Sequence, residues 1–326
     1  MSGCSFPGDG KCPTKRFGRT ELQMPVLTCG GMRFQAPKVP ANTMEFCPAN
    51  AEHFVPAEAQ ANVEAIVTAA MDRGINHFET AKYGCSELML GIALRKLYPK
   101  RSDYILQTKV GPRKDAEEFR KNLQSSLDLL APDDPDTEEG SGYIDLFAMH
   151  GINRTKELEW ILEPGGCMDI AKEFQRQGKI KHIGFSTHGM STAIVDVINC
   201  GQFDYVNLHY HYIGSYTASG SGCATNANSR AIEAAKKQDM GMFIISPYDK
   251  GGFLYKPSKK LEDACQAHGL HPIAFNVCVP FNAASLRMRG SRFSRTLVCF
   301  FAADVVVIGS TRHPHACHRS CSAVGL

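Results

Sequence analysis

The sequence predicts an α/β protein built as a (β/α)8 barrel of the TIM type, and three observations lead there. From about residue 58 onward, short apolar runs rich in β-branched residues alternate with segments of helical period, the pattern of repeated βα units. Eight strand candidates can be placed, the number that closes a ring of parallel strands. No Gly-rich GxGxxG turn follows the first of them, which argues against an open, doubly wound sheet. A chain of 326 residues has room for this barrel as one domain, residues 1–326, because such barrels commonly occupy about 250 residues or more.

The elements follow in order. Val26–Cys29 is the opening strand. Helix Ala57–Asp72 leads to strand Ile75–Phe78, helix Glu87–Tyr98 to strand Tyr104–Lys109, and helix Ala116–Leu130 to strand Tyr143–Met149. Helix Cys167–Gln177 precedes strand Lys181–Phe185, helix Thr192–Asn199 precedes strand Tyr205–Leu208, and helix Ser229–Gln238 precedes strand Met242–Ile245. Val305–Ile308 is the candidate to close the ring, with the last βα unit irregular or incomplete. Gly74 and Gly178 stand where two helices must end, because a residue free to take positive φ lets the chain leave the last turn. Gln35–Pro56, Pro132–Gly142 and Gly214–Asn228, rich in Pro, Gly, Ser, Asn or acids, read as loop insertions that shape a pocket.

Composition narrows the partners. Hydrophobic residues at 43% and charged residues at 21% are those of a globular chain. A net charge of +3 without a dense run of Lys and Arg argues against nucleic acid. No stretch approaches the roughly 18 apolar residues that span a bilayer, and Met1 to Arg19 lacks the apolar core of a secretory signal. A cytoplasmic protein with no membrane partner is therefore expected. Thirteen cysteines, odd in number and scattered through strands and helices, read as free thiols rather than a disulfide frame. No CxxC spacing is present, and Cys317, Cys321, His315 and His318 fall in a short polar tail, so no metal is expected.

Chemistry gathers at consecutive strand ends. Glu79 follows strand Ile75–Phe78, Lys109 ends the next strand, and His150 follows the one after. In a barrel these ends are neighbours on the catalytic rim, and Tyr83, four residues beyond Glu79, can fold back over it. A phenol with an ordinary pKa near 10 is a poor acid or base at neutrality. An adjacent ammonium, Lys109, favours the phenolate, and Glu79 keeps that ammonium charged and aimed. His150 can hydrogen-bond a substrate carbonyl and fix its orientation. Each of these residues taken singly is more often a solvated rim charge or a packing side chain; their order on three successive strands is the signal.

At these residues the chain resembles the aldo-keto reductase family. Phe17-Gly-Arg-Thr followed by Cys29-Gly-Gly-Met resembles the family's opening strand. Asp72-Arg-Gly-Ile-Asn-His-Phe-Glu-Thr-Ala, with Tyr83-Gly-Cys-Ser-Glu after it, resembles the second. Gln107-Thr-Lys109-Val, Met149-His150, His182-Ile-Gly-Phe-Ser-Thr-His-Gly and Ile245-Ser-Pro-Tyr-Asp-Lys-Gly-Gly follow in the family's order, over roughly residues 15 to 276. The likeness is greatest to a branch in which some members append a C-terminal iron–sulfur module.

The resemblance implies reduction of a small-molecule aldehyde or ketone by hydride from NADP(H), with Tyr83 as general acid and base. It implies that Ser186 and Asn207 hold the nicotinamide carboxamide, that Ile245 covers its ring, and that Ser246 and Lys250 face the phosphates. Arg312, in Val305-Val-Val-Ile-Gly-Ser-Thr-Arg312, would be the cation for the adenosine 2′-phosphate. Two departures stand out. The family's carboxylate is an Asp five residues before the Tyr, whereas Glu79 is four before Tyr83. After Asn276 the resemblance fades, and residues 277–326 form a divergent tail. Two other readings compete: a catalytically weak or silent barrel that binds the cofactor in a redox-sensing or regulatory role, and an aldolase using Lys109 as a Schiff base.

Overall fold

Seven of the eight expected strands run parallel around a closed barrel, and the eighth runs against them. The computed structural model describes residues 11–32, 34, 55–82, 84–131, 142–210, 228–245, 257–269 and 272, and the backbone of 305–308. A short hairpin, Thr14–Arg16 (β1) and Gln23–Pro25 (β2), precedes the barrel strands Leu27–Gly30 (β3), His77–Glu79 (β4), Ile105–Val110 (β5), Ile144–His150 (β6), Ile180–Ser186 (β7), Tyr205–His209 (β8) and Gly241–Ile245 (β9). Their order in the ring follows the sequence, each pairing in parallel with the next. Val305–Ile308 (β10) sits between β9 and β3.

The helices between the strands form where the apolar period put them. They are Ala57–Met71 (α1), Ser86–Leu97 (α2), Ala116–Leu130 (α3), Cys167–Arg176 (α5), Ser191–Asn199 (α6) and Ser229–Lys237 (α7). Two were not expected: the short Glu157–Ile161 (α4) in the β6 to β7 connection, and Lys259–Ala267 (α8) after β9. Caps explain their starts where local chemistry is strong. Asp115 accepts hydrogen bonds from the amides of Glu117 and Glu118 at the head of α3, and Ser258 accepts from the amide of Leu261 at the head of α8. Gly74 and Gly178 take φ of +74° and +76°, as helix exits require.

The direction of β10 corrects the expectation of a parallel eighth strand. Val305 lies opposite Ile245, and Ile308 lies opposite Met242, so the strand enters at the rim where β9 ends and leaves towards the floor where β9 begins. A parallel strand would need an outside crossover returning the chain to the floor before pairing; β10 pairs in the opposite sense on both sides. The ring is closed, and its last unit is irregular.

The floor is plugged by the loop of the hairpin. Phe17, fully buried, packs its ring 4.4 Å from that of Phe243 and 5.8 Å from that of Tyr205. A Cβ on Gly241 would come within 2.5 Å of the Phe17 ring, and one on Gly184 within 2.5 Å of Tyr205, so both glycines make room for the plug and its neighbour. Arg16 fixes the hairpin by ion pairs to Glu21 and to Asp239, 223 residues away. Outside the barrel wall, one continuous apolar layer joins the strands' outer faces to the helices.

Among the described residues, Cys12, Cys29, Cys85, Cys167, Cys200 and Cys265 form no disulfide. Among the described residues no helix is long and apolar enough to cross a membrane, and no group of three or more His, Cys, Asp or Glu is placed to hold a metal. The insertions expected at Gln35–Pro56, Pro132–Gly142 and Gly214–Asn228, and the Cys and His of the tail, lie almost wholly outside the described residues.

Candidate active site

Period-two alternation decides which side chains enter the barrel. From β4 it sends in His77 and Glu79, from β5 Gln107 and Lys109, from β6 Leu146, Ala148 and His150, and from β8 Tyr205, Asn207 and His209. Parallel pairing then sets their heights. Glu79 is in register with Gln107, Lys109 with Ala148, and His150 with Ser186, which is in turn in register with Asn207. The last inward residue of each of these strands stands at the rim.

Glu79 and Lys109 form a buried ion pair there, with side chains 5% and 6% exposed. The ammonium also donates to the carbonyl of Thr80 at 2.9 Å. A charged pair removed from water is retained only with such additional hydrogen bonds, and breaking it by deleting one partner strands the other charge. The loop that follows is anchored by a chain of hydroxyls: Thr80 meets Ser86 at 2.6 Å, and Ser86 donates to the carbonyl of Gly31 at 2.9 Å. Tyr83 belongs to this loop but lies outside the described residues.

His150, at the end of β6, is held neutral. Burial, then the charge of Lys109, then His188 push its pKa down to about 3. It borders a small open cleft of about 50 Å³ lined also by Lys82, Lys109, Val110, Gly111, Arg113 and Asn122. The three rim groups expected on consecutive strand ends, Glu79, Lys109 and His150, are therefore brought to one mouth.

Ser186 and Asn207 sit side by side on β7 and β8. The Ser186 hydroxyl accepts from the amide of Gly151 at 3.1 Å. Asn207 is wholly buried; its Oδ1 accepts from Gln107 at 3.3 Å, while its Nδ2 has no acceptor among the described residues. A buried amide donor left unsatisfied is costly. Ile245 ends β9 in register with His209 and packs on the inner cluster. Ser246, Lys250 and Arg312 lie outside the described residues.

The sequence reasoning missed the layer beneath. His77, fully buried, shares a 2.8 Å hydrogen bond with Thr28 and stacks on Phe243. Burial first, then Lys109, push its pKa down to about 3, with Gln107 opposing. Gln107 donates to the Tyr205 hydroxyl as well as to Asn207. His209 meets His188 at 2.9 Å between ring nitrogens. The signal was available, since each of His77, Gln107 and Tyr205 stands two residues before a singled-out position on the same face.

The sequence model of the Aldo/keto reductase family matches residues 50–276, more than half of the chain. The chain belongs to that family. A curated relative, L-galactose dehydrogenase of Arabidopsis thaliana, is 31% identical over 158 residues, spanning 45% of this chain and 46% of its own length. The chain thus matches about half the length of that relative. Among solved structures, an aldo/keto reductase from Klebsiella pneumoniae in complex with NADP and acetate aligns at a TM-score of 0.56 and 17% identity, covering 86% of this chain and 92% of that one. An aldo-keto reductase from Pseudomonas aeruginosa aligns at 0.53 and 20%, covering 83% and 94%. These distant structures share the barrel fold.

Proposed function

We propose that this aldo/keto reductase family member is an NADP(H)-dependent oxidoreductase that reduces an aldehyde or ketone to an alcohol, with Tyr83 as general acid and base. The observation that carries the reading is the buried Lys109–Glu79 pair beside a neutral His150 at one mouth of the barrel. When bound, the nicotinamide cofactor supplies the hydride. The unsatisfied Nδ2 of Asn207, next to Ser186, fits the acceptor of its carboxamide, and Ile245 is the side chain against its ring. Ser246 and Lys250 are the residues assigned to the phosphates. The complex of the Klebsiella pneumoniae relative with NADP agrees with that cofactor.

The residues divide the work. A neutral imidazole keeps one N–H to donate, so His150 orients the carbonyl oxygen. The ammonium of Lys109, kept charged by Glu79, stabilises the phenolate that Tyr83 becomes when it gives its proton to the developing alkoxide. The same pairing disfavours a Schiff base on Lys109, because a nucleophilic amine must be neutral. The test follows NADPH consumption with small aldehydes. Turnover is expected, falling by about 10² to 10⁴ in Tyr83→Phe; no turnover, or undiminished turnover in that variant, overturns the proposal.

A further inference from the structure

One amide crosses the inside of the barrel and joins the strand of Lys109 to the strand of Asn207. Gln107 on β5 points inward at the level of Glu79, and Asn207 on β8 points inward at the level of Ser186. The two strands are three places apart in the ring, and the bond from Gln107 Nε2 to Asn207 Oδ1 spans 3.3 Å between them. The other N–H of the same amide group donates to the Tyr205 hydroxyl, also at 3.3 Å. The side chains that fill this layer are Phe17, Met24, Leu146, Ala148 and Phe243, and both amides are fully buried among them. The fold alone gives no reason for an amide here. Gln107 Oε1 has no hydrogen-bond partner among the described residues, a cost that an apolar side chain of the same shape would not carry. What Gln107 supplies is an orientation. An Asn amide presents a donor or an acceptor according to how it is turned, and a donor held against Oδ1 from inside leaves Nδ2 as the end that faces away. The electrostatics agree: burial and then the charge of Lys109 disfavour protonation of His77, and Gln107 opposes them, as a carbonyl oxygen does and an N–H does not.

We propose that Gln107 is a positioning residue for the cofactor: by holding Oδ1 of Asn207 from within the barrel, it turns Nδ2 toward the carbonyl oxygen of the nicotinamide carboxamide. It touches neither cofactor nor substrate and acts through Asn207. The proposal deepens the oxidoreductase reading and rests on the assignment of Asn207 to the carboxamide. It also gives the polar layer beneath the rim a task, since the strand that carries Lys109 then sets the donor of the cofactor site as well.

The experiment is fluorescence titration of the full chain with NADPH, together with urea unfolding of the same variants. Gln107→Met should weaken binding about threefold to tenfold, the size of one hydrogen bond, while its urea midpoint stays equal to or above that of the native chain. A residue that served only the fold would give the reverse. Gln107→Asn keeps an amide that is one methylene too short to reach Asn207; it should weaken binding likewise, and it carries the test should Gln107→Met fail to fold. Asn207→Leu should also weaken binding, and adding Gln107→Met to it should lower affinity by no more than about twofold further, because the second residue acts through the first. Oxidised cofactor analogues, titrated against bound NADPH, read the orientation. The thionicotinamide analogue of NADP carries a poorer acceptor in place of the carboxamide oxygen, so the native preference for NADP over it should shrink several-fold in Gln107→Met. The 3-acetylpyridine analogue lacks the carboxamide NH2 and should show no such change. Undiminished binding in both Gln107 variants, additive losses in the double variant, or a changed preference confined to the acetylpyridine analogue overturns the proposal. If Asn207→Leu binds NADPH as the native chain does, the carboxamide reading of Asn207 fails, and the role of Gln107 falls with it.

Discussion

The two arcs of the barrel are built differently. From β4 to β7 every strand is parallel, β6 is buried along almost its whole length, and its register with β7 runs from Ile144 opposite Ile180 to His150 opposite Ser186. From β9 to β3 the ring closes through four residues of opposite direction, joined to β3 only by Val305 opposite Thr28 and Val306 opposite Leu27. Parallel strands deliver all their C-terminal ends to one rim, so the first arc can assemble a carboxylate, an ammonium and an imidazole from consecutive units. The antiparallel closure removes an open sheet edge but contributes no C-terminal strand end to that rim. The grouping of Glu79, Lys109 and His150 is thus independent of the way the ring is closed.

The largest expected effect lies at the rim of the parallel arc. Glu79→Ala strands the buried ammonium of Lys109, and urea unfolding should show a loss of about 3 to 5 kcal/mol. Phe17→Ala tests the floor that both arcs share; emptying its packed position against Phe243 and Tyr205 should lower stability by about 3 kcal/mol in the same measurement. If either change is nearly neutral, the parallel arc is not held as described.

Acid sharpens the comparison further. His77 and His150 have folded-state pKa values near 3, below the ordinary imidazole value of about 6.5. The unfolded chain therefore binds more protons between those limits, and each imidazole removes about 1.4 kcal/mol of stability per pH unit as pH falls through that window. Glu87, raised by burial, acts in the opposite sense below the onset of its own titration. Urea midpoints of the native chain and of His77→Gln should accordingly converge as pH falls from 7 to 4; parallel curves would exclude a neutral buried His77. The smallest expected difference is local. Backbone amides of Val305–Ile308 should exchange with solvent about tenfold or more faster than those of Ile144–Met149, because the closing strand has the shorter ladder. Equal protection would place the two arcs on the same footing.

Much of this was legible in the sequence, for reasons that differ by element. The barrel strands show as β-branched and apolar runs, although Ile75 falls outside β4 because its amide closes the end of α1 on Ala70. The hairpin Thr14–Arg16 and Gln23–Pro25 shows no alternation; it is held by Arg16 to Asp239, a contact no local window contains. The run Val305–Ile308 announces a strand, but four apolar residues carry no information on direction. Glu79, Lys109 and His150 were readable because chemistry was concentrated at strand ends. Gln107 and His77 were passed over because a single polar residue within an apolar strand resembles ordinary noise until its inward neighbour is known.

In the proposed reaction the ammonium of Lys109 serves the proton donor at the barrel mouth. Single-turnover oxidation of bound NADPH by an uncharged aldehyde tests this directly in Lys109→Met, alongside fluorescence titration of the cofactor. The rate should fall by about 10³ with the cofactor still bound. A rate within about twofold of the native chain would contradict it.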